Sequence, residues 1–210
     1  MGAGTRAKST SYGRTYGQWS AHWWQWALST PNQPTAFDGC PNESGSVWFL
    51  SGVSPQNSGT CSVPAGKAIM FPTFNVEWSV AEANAAGGMC PVPISTNGTS
   101  YAALLACAQA FSDFATQPGA TLHAAVDGRD LQGLLTYRAH SDPPPFPFTA
   151  QPGNMFGVPA GKSTAVADGF WIMLSPLASG NHTIHFAAVV PLPILGFTFV
   201  DDAIFNLVVR

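Results

Sequence analysis

The pentapeptide Val-Pro-Ala-Gly-Lys occurs twice, at 63–67 and 158–162. Each copy leads toward an apolar stretch, Ala68-Ile69-Met70-Phe71 in one case and Phe170-Trp171-Ile172-Met173-Leu174 in the other. Val-Pro-Ala-Gly places proline second and glycine fourth in a type I turn. A proline–glycine corner feeding a short apolar run is a turn feeding a strand. Its repetition predicts a chain built from turned strands, with the two copies at equivalent corners of two half-sheets. The second copy, read as GVPAGKST, imitates a phosphate-binding loop. That loop needs four residues between its first glycine and the Gly-Lys pair. Here only Val158, Pro159 and Ala160 intervene, and Pro159 removes an N–H from the cradle. Nucleotide binding does not follow.

Composition agrees with an all-β reading. Charged residues are 9% of the chain, against the ~25% usual for soluble domains. Such a chain cannot coat the exposed faces of a helical bundle, whereas its 21 glycines and 18 prolines suit many turns. A 46% hydrophobic and 12% aromatic content is enough to offset chain entropy, so disorder is excluded. Three lysines and five arginines are scattered and the net charge is −3, so no basic stripe exists for nucleic acid. Sparse charge does little to hold molecules apart and points to a homo-oligomer. The longest apolar run, Phe186 to Val200, is broken by Pro191 and Pro193 and forms no membrane span.

The opening residues, MGAGTRAKSTSYG, lack the apolar core of a signal peptide. The chain is therefore either cytosolic or without its leader. Its four cysteines favour a secreted or cell-surface protein. Of the three possible pairings, Cys40 with Cys61 and Cys90 with Cys107 is preferred, because both close local loops. No Cys-x-x-Cys is present, so a cysteine-based zinc site is not expected. Sequons stand at Asn42, Asn97 and Asn181.

Residues 1–12 read as a flexible N-terminal segment and 13–210 as a single domain. Trp19, Trp23 and Trp26 recur at helical spacing over residues 16–31, with Pro31 ending the helix. That aromatic stripe is expected to be core, leaving Trp24 the freest indole. A second helix is predicted over 99–116, capped by Thr99 or Ser100, and one or two helical turns over 78–87. Strands are predicted at 47–50, 68–71, 122–126, 131–138, 170–174, 182–190 and 203–209. Residues 141–156 are proline-rich and expected to wrap the surface. The fold expected is mainly β, a β-sandwich or jelly roll with two short to medium helices packed on it.

The segments WSAHWWQW, VWFLSG, CSVPAGKAIMFPTFNVEWS, VDGRDLQGLLTYR and ADGFWIMLSPLASGNHTIHF together resemble a family of secreted bacterial proteins of unassigned function. The resemblance runs over most of the chain from about residue 16. It implies export and a single domain, and it transfers no catalytic residue.

Eleven carboxylates form a short list. Glu77, just after an apolar strand, and Asp168, just before one, are the candidate catalytic pair for acid–base work on a glycosidic bond. Trp24, Trp78, Tyr137, Arg138 and Lys162 are the candidate ligand-binding residues, offering indole and phenol faces and cations. His182 and His185 lie three apart in a predicted strand, so alternation points them to opposite faces. Either can join His123 or His140, but no ligand spacing is present, and neither metal nor cofactor is expected. Three functional classes remain. The leading one is an exported β-sandwich that recognises an extracellular glycan or similar polymer. The alternatives are a carbohydrate-active hydrolase or lyase using Glu77 with a second Asp or His, and a self-assembling surface protein.

Overall fold

The computed structural model describes residues 10–31, 40, 45–52, 58–85, 90–91, 98–154 and 156–210. In chain order they form helix α1 (Tyr16–Ser29), strands β1 (Val47–Phe49), β2 (Ser58–Val63) and β3 (Ala68–Ser79), and helices α2 (Val80–Asn84) and α3 (Tyr101–Asp113). Strands β4 (Thr121–Val126), β5 (Arg129–Asp130), β6 (Arg138–His140), β7 (Phe146–Ala150), β8 (Gly161–Leu174), β9 (Gly180–Leu192) and β10 (Phe197–Val209) follow. Two five-stranded sheets result, a β-sandwich with helices packed on it. The first has the order β1-β3-β8-β6 with β7 also on β8, and the second the order β2-β10-β9-β4-β5.

Helix α1 starts where Thr15 and Gln18 satisfy each other's backbone N–H groups. Its tryptophan stripe covers the outer face of the first sheet with Phe49, Met70, Ala167, Trp171 and Met173. The Trp23 indole N–H donates to the Leu50 carbonyl at 2.9 Å. Gly17 lets the helix start lie on the end of β6, because a Cβ there would meet the backbone of His140 and Asp142.

The opposite face of the first sheet meets the second. Phe71, Phe186 and Phe205 stack through that core, with centroid separations of 4.7 and 6.0 Å. At one end, α3 closes a third core of Phe74, Trp78, Leu104, Phe111, Val166 and Phe170. Disulfides join Cys40 to Cys61 and Cys90 to Cys107, as the sequence suggested.

β3 does not stop at Pro72. It continues to Ser79 with a register shift between Pro72 and Phe74. Ile69 and Phe71 face the sandwich core before the shift, and Phe74, Val76 and Trp78 face α3 on the same side after it. One extra residue has reversed the odd–even parity of the strand.

Several expectations are corrected. The turn of the first VPAGK runs from Pro64 to Lys67, with the Lys67 N–H donating to the Pro64 carbonyl at 3.4 Å. Gly66 sits third with φ +85°, a type II signature. This corner carries the chain from one sheet to the other. The second copy lies between β7 and β8, which pair within one sheet, so the two corners are not equivalent. Residues 131–137 are no strand: β5 ends at Asp130, a 3-10 helix follows at Leu134–Tyr137, and only Arg138 of the expected strand is extended, as the start of β6. The proline-rich stretch holds β7, fully paired to β8. Residues 1–9 of the expected flexible segment lie outside the described residues. Ser11 is fixed, exchanging backbone hydrogen bonds with Arg14 and accepting from the Trp19 indole at 2.7 Å.

Candidate functional site

The two carboxylates expected to act together stand on opposite faces of the first sheet. Glu77 is opposite Ala167, and Asp168 is opposite Val76. Glu77 therefore points to the α1 side with Ala167, and Asp168 to the α3 side with Phe170. The parity reversal at Pro72 separates them. Asp168 is 1% exposed and committed to Arg138, whose Nε and Nη2 donate to Oδ2 at 2.9 and 2.7 Å. Burial pushes its carboxyl up, and the guanidinium partly offsets that shift. Arg138 also donates to Asp113 at 2.6 Å and to the Gln109 carbonyl at 3.0 Å, tying β6 and β8 to α3.

Glu77 acquires a partner that sequence reasoning missed. Glu82 follows it on the first turn of α2 and accepts from the Ser79 backbone N–H and hydroxyl, both at 2.7 Å. Burial raises the Glu77 carboxyl well above the usual range, and the nearby charge and hydrogen bond of Glu82 raise it further. Burial raises Glu82 too, against the Ser79 hydrogen bonds. Glu77 Oε1 is buried without a hydrogen-bond partner, and two neighbouring carboxyls repel one another when both are ionised. The signal for Glu82 was the Ser-x-x-Glu capping box at 79–82. Both line a recess of about 280 Å³ with Asn75, Trp78 and Phe156.

All seven tryptophans are buried, none above 7% exposure. Trp24 packs edge-on against Phe156, with centroids 5.0 Å apart, and Trp78 packs on Phe111 at 5.8 Å. Neither offers a face for stacking. Tyr137 is half-buried against the sandwich core. Lys162 is exposed at the start of β8. It lies six residues from Asp168, roughly 20 Å along an extended strand. The five candidate binding residues are not brought together.

The open surface lies elsewhere. The inward positions of β9 and β10 (Ile184, Phe186, Ala203, Phe205, Leu207) fill the sandwich core. Their alternates face outward: Thr183, His185, Ala187 and Val189 on β9, and Val200, Asp202, Ile204 and Asn206 on β10. Thr121 and His123 extend this face onto β4. Val189, Val200 and Ile204 are 37, 52 and 41% exposed. Hydroxyl, amide, carboxylate and imidazole groups alternate here with branched aliphatic ones.

Two histidine–carboxylate pairs sit at its centre. His185 Nε2 meets Asp202 Oδ1 at 2.7 Å, and His123 Nε2 meets Asp130 Oδ1 at 3.2 Å. The two imidazole rings are 4.7 Å apart. His182, as alternation predicted, is on the other side of β9 from His185. It is held by Asp127 at 2.8 Å and by the Ala178 carbonyl at 2.9 Å. The Asp127 hydrogen bond raises its imidazole above the ordinary range.

No family model and no curated protein matches this chain. Three solved structures show a remote likeness. One is a cysteine protease inhibitor, EhICP2, from Entamoeba histolytica, with 12% identity, a TM-score of 0.29, and coverage of 78% of this chain and 96% of that one. Another is PbICP-C, solved in complex with falcipain-2, with 9% identity, a TM-score of 0.27, and coverage of 79% and 100%. The third is amebosin, with 8% identity, a TM-score of 0.25, and coverage of 80% and 100%. Overlaps this loose carry no argument about activity.

Proposed function

We propose that this is an exported β-sandwich protein that recognises an extracellular glycan or a similar polar polymer on the outer face of its second sheet. The observation that carries the reading is the alternation of hydrogen-bonding and aliphatic side chains across that face, centred on Asp202, His185 and Asn206. A sugar ring presents hydroxyls at its edge and C–H groups on its faces, and such a surface can meet both. The two disulfides support export. With every indole buried, recognition rests on hydrogen bonds and aliphatic contact in place of aromatic stacking.

The test is a polysaccharide panel scored for retention and for product release. The double variant Asp202→Ala/Asn206→Ala is expected to lose retention at least tenfold with its folding intact, because both side chains are exposed. Retention on no polymer, or retention unchanged in that variant, overturns the reading.

A second reading is favoured by the two carboxyls, Glu77 and Glu82, that line one recess: acid–base chemistry there, with the Glu77 carboxyl raised well above the usual range by its burial. Glu77→Gln in the same panel separates the two readings, since lost release with retained binding supports only the second.

A further inference from the structure

We propose that His123 and His185 form a surface site for a divalent transition-metal ion such as Zn²⁺ or Ni²⁺. They come from neighbouring strands, β4 and β9, and project from the same open face. Each uses Nε2 toward a carboxylate, His185 toward Asp202 at 2.7 Å and His123 toward Asp130 at 3.2 Å. A neutral imidazole hydrogen-bonded to a carboxylate through Nε2 carries its proton there and leaves the Nδ1 lone pair for a ligand. Carboxylate–histidine pairs of this kind orient metal-binding histidines and raise their basicity.

The spacing is suitable. Two nitrogens each about 2.0–2.1 Å from one tetrahedral zinc ion lie roughly 3.3 Å apart. Rings with centroids 4.7 Å apart are close enough for one nitrogen of each to reach a common ion. The histidine and aspartate side chains are between 35 and 62% exposed, so an ion can reach the rings and no buried contact must be broken. Among the described residues no three His, Cys, Asp or Glu side chains converge on one point. The site is therefore bidentate, with water or oxygen atoms of a bound molecule completing the coordination sphere. Such a site is exchangeable, and it draws on Asp130 and Asp202 to balance the metal's charge.

Calorimetric titration of the full chain with Zn²⁺ and separately with Ni²⁺, near pH 7.5, tests this. Saturable one-to-one binding is expected. His123→Ala and His185→Ala should each weaken it at least tenfold, and His140→Ala, at an exposed histidine on the other sheet, should leave it unchanged. Asp202→Asn should weaken it by roughly tenfold, the lower range for a carboxylate that orients a ligand. Histidine nitrogen NMR provides a signature that a merely structural role would not give, with the His123 and His185 Nδ1 resonances shifting on metal addition. No saturable binding, binding that survives in the His123→Ala/His185→Ala double variant, or shifts confined to other histidines would overturn the proposal.

Discussion

Asp201 places an ionisable carboxyl in the interior. It is 5% exposed and its Oδ1 has no hydrogen-bond partner. Burial, with the neighbouring charge of Asp202, raises its pKa to about 7 against a backbone hydrogen bond that lowers it. A carboxyl raised in the folded state stabilises fully below its unfolded value near 3.8. That contribution is lost as pH rises to about 7 and is constant above it. The ceiling of the effect is about 4 kcal/mol, from roughly 3 units at 1.36 kcal/mol each. Asp201→Asn should remove it. In urea unfolding, the advantage of the variant over the parent should grow from about pH 4 to about pH 8, and a constant difference would contradict the assignment. Arg138 makes the opposite kind of contribution. Arg138→Leu leaves Asp168 buried without its counter-charge and should cost about 3 kcal/mol. Asp168→Asn in the same background should restore part of that loss, measured by a double-mutant cycle.

At the level of elements, β3 and β8 decide the arrangement. Their pairing depends on Gly169, which stands opposite Asn75 just beyond the register shift. A Cβ at that position would come within 2.6 Å of the Asn75 Cα and the Phe74 carbonyl oxygen. Those are backbone atoms and cannot swing away. Gly169→Ala should therefore destabilise the protein by about 1–3 kcal/mol, read as a lower denaturation midpoint with unchanged slope. The helices were largely legible in sequence. The Trp19, Trp23, Trp26 spacing located α1, and Ser100 caps α3 as expected. The reach of β3 was not legible, because a proline at 72 reads locally as the end of a strand. A proline lacks only its own N–H, and an irregularity in the ladder at that point absorbs the loss. The same irregularity decided the candidate site. With unbroken alternation Glu77 would share a face with Asp168. With the bulge it turns to the α1 side and meets Glu82.

In the molecule as a whole, the three cores are not independent. β8 contributes Trp171 to the core under α1, Ile172 to the core between the sheets, and Phe170 to the core under α3. Loss of any one core exposes a face of the same strand. Trp23→Ala, in the first core, and Phe205→Ala, in the second, should each cost about 3–5 kcal/mol. Both should lower a single transition followed identically by far-ultraviolet and near-ultraviolet circular dichroism. Two separated transitions would show that the layers unfold apart. The sparse charge has its consequence at this scale too. The open sheet face carries exposed Val189, Val200 and Ile204, so the association state should be measured in parallel with the polymer panel.

The sequence by itself determined the class of fold, the two main helices and the preferred disulfide pairing. These follow from local periodicity, turn chemistry and short loop closure, which act over neighbouring residues. Only the tertiary structure decided which side chains share a surface. It buried Trp24 and Trp78, bound Asp168 to Arg138, gave Glu77 to Glu82, and set His123 beside His185. Which face a strand residue occupies depends on register and bulges, and one residue of shift reverses every assignment beyond it.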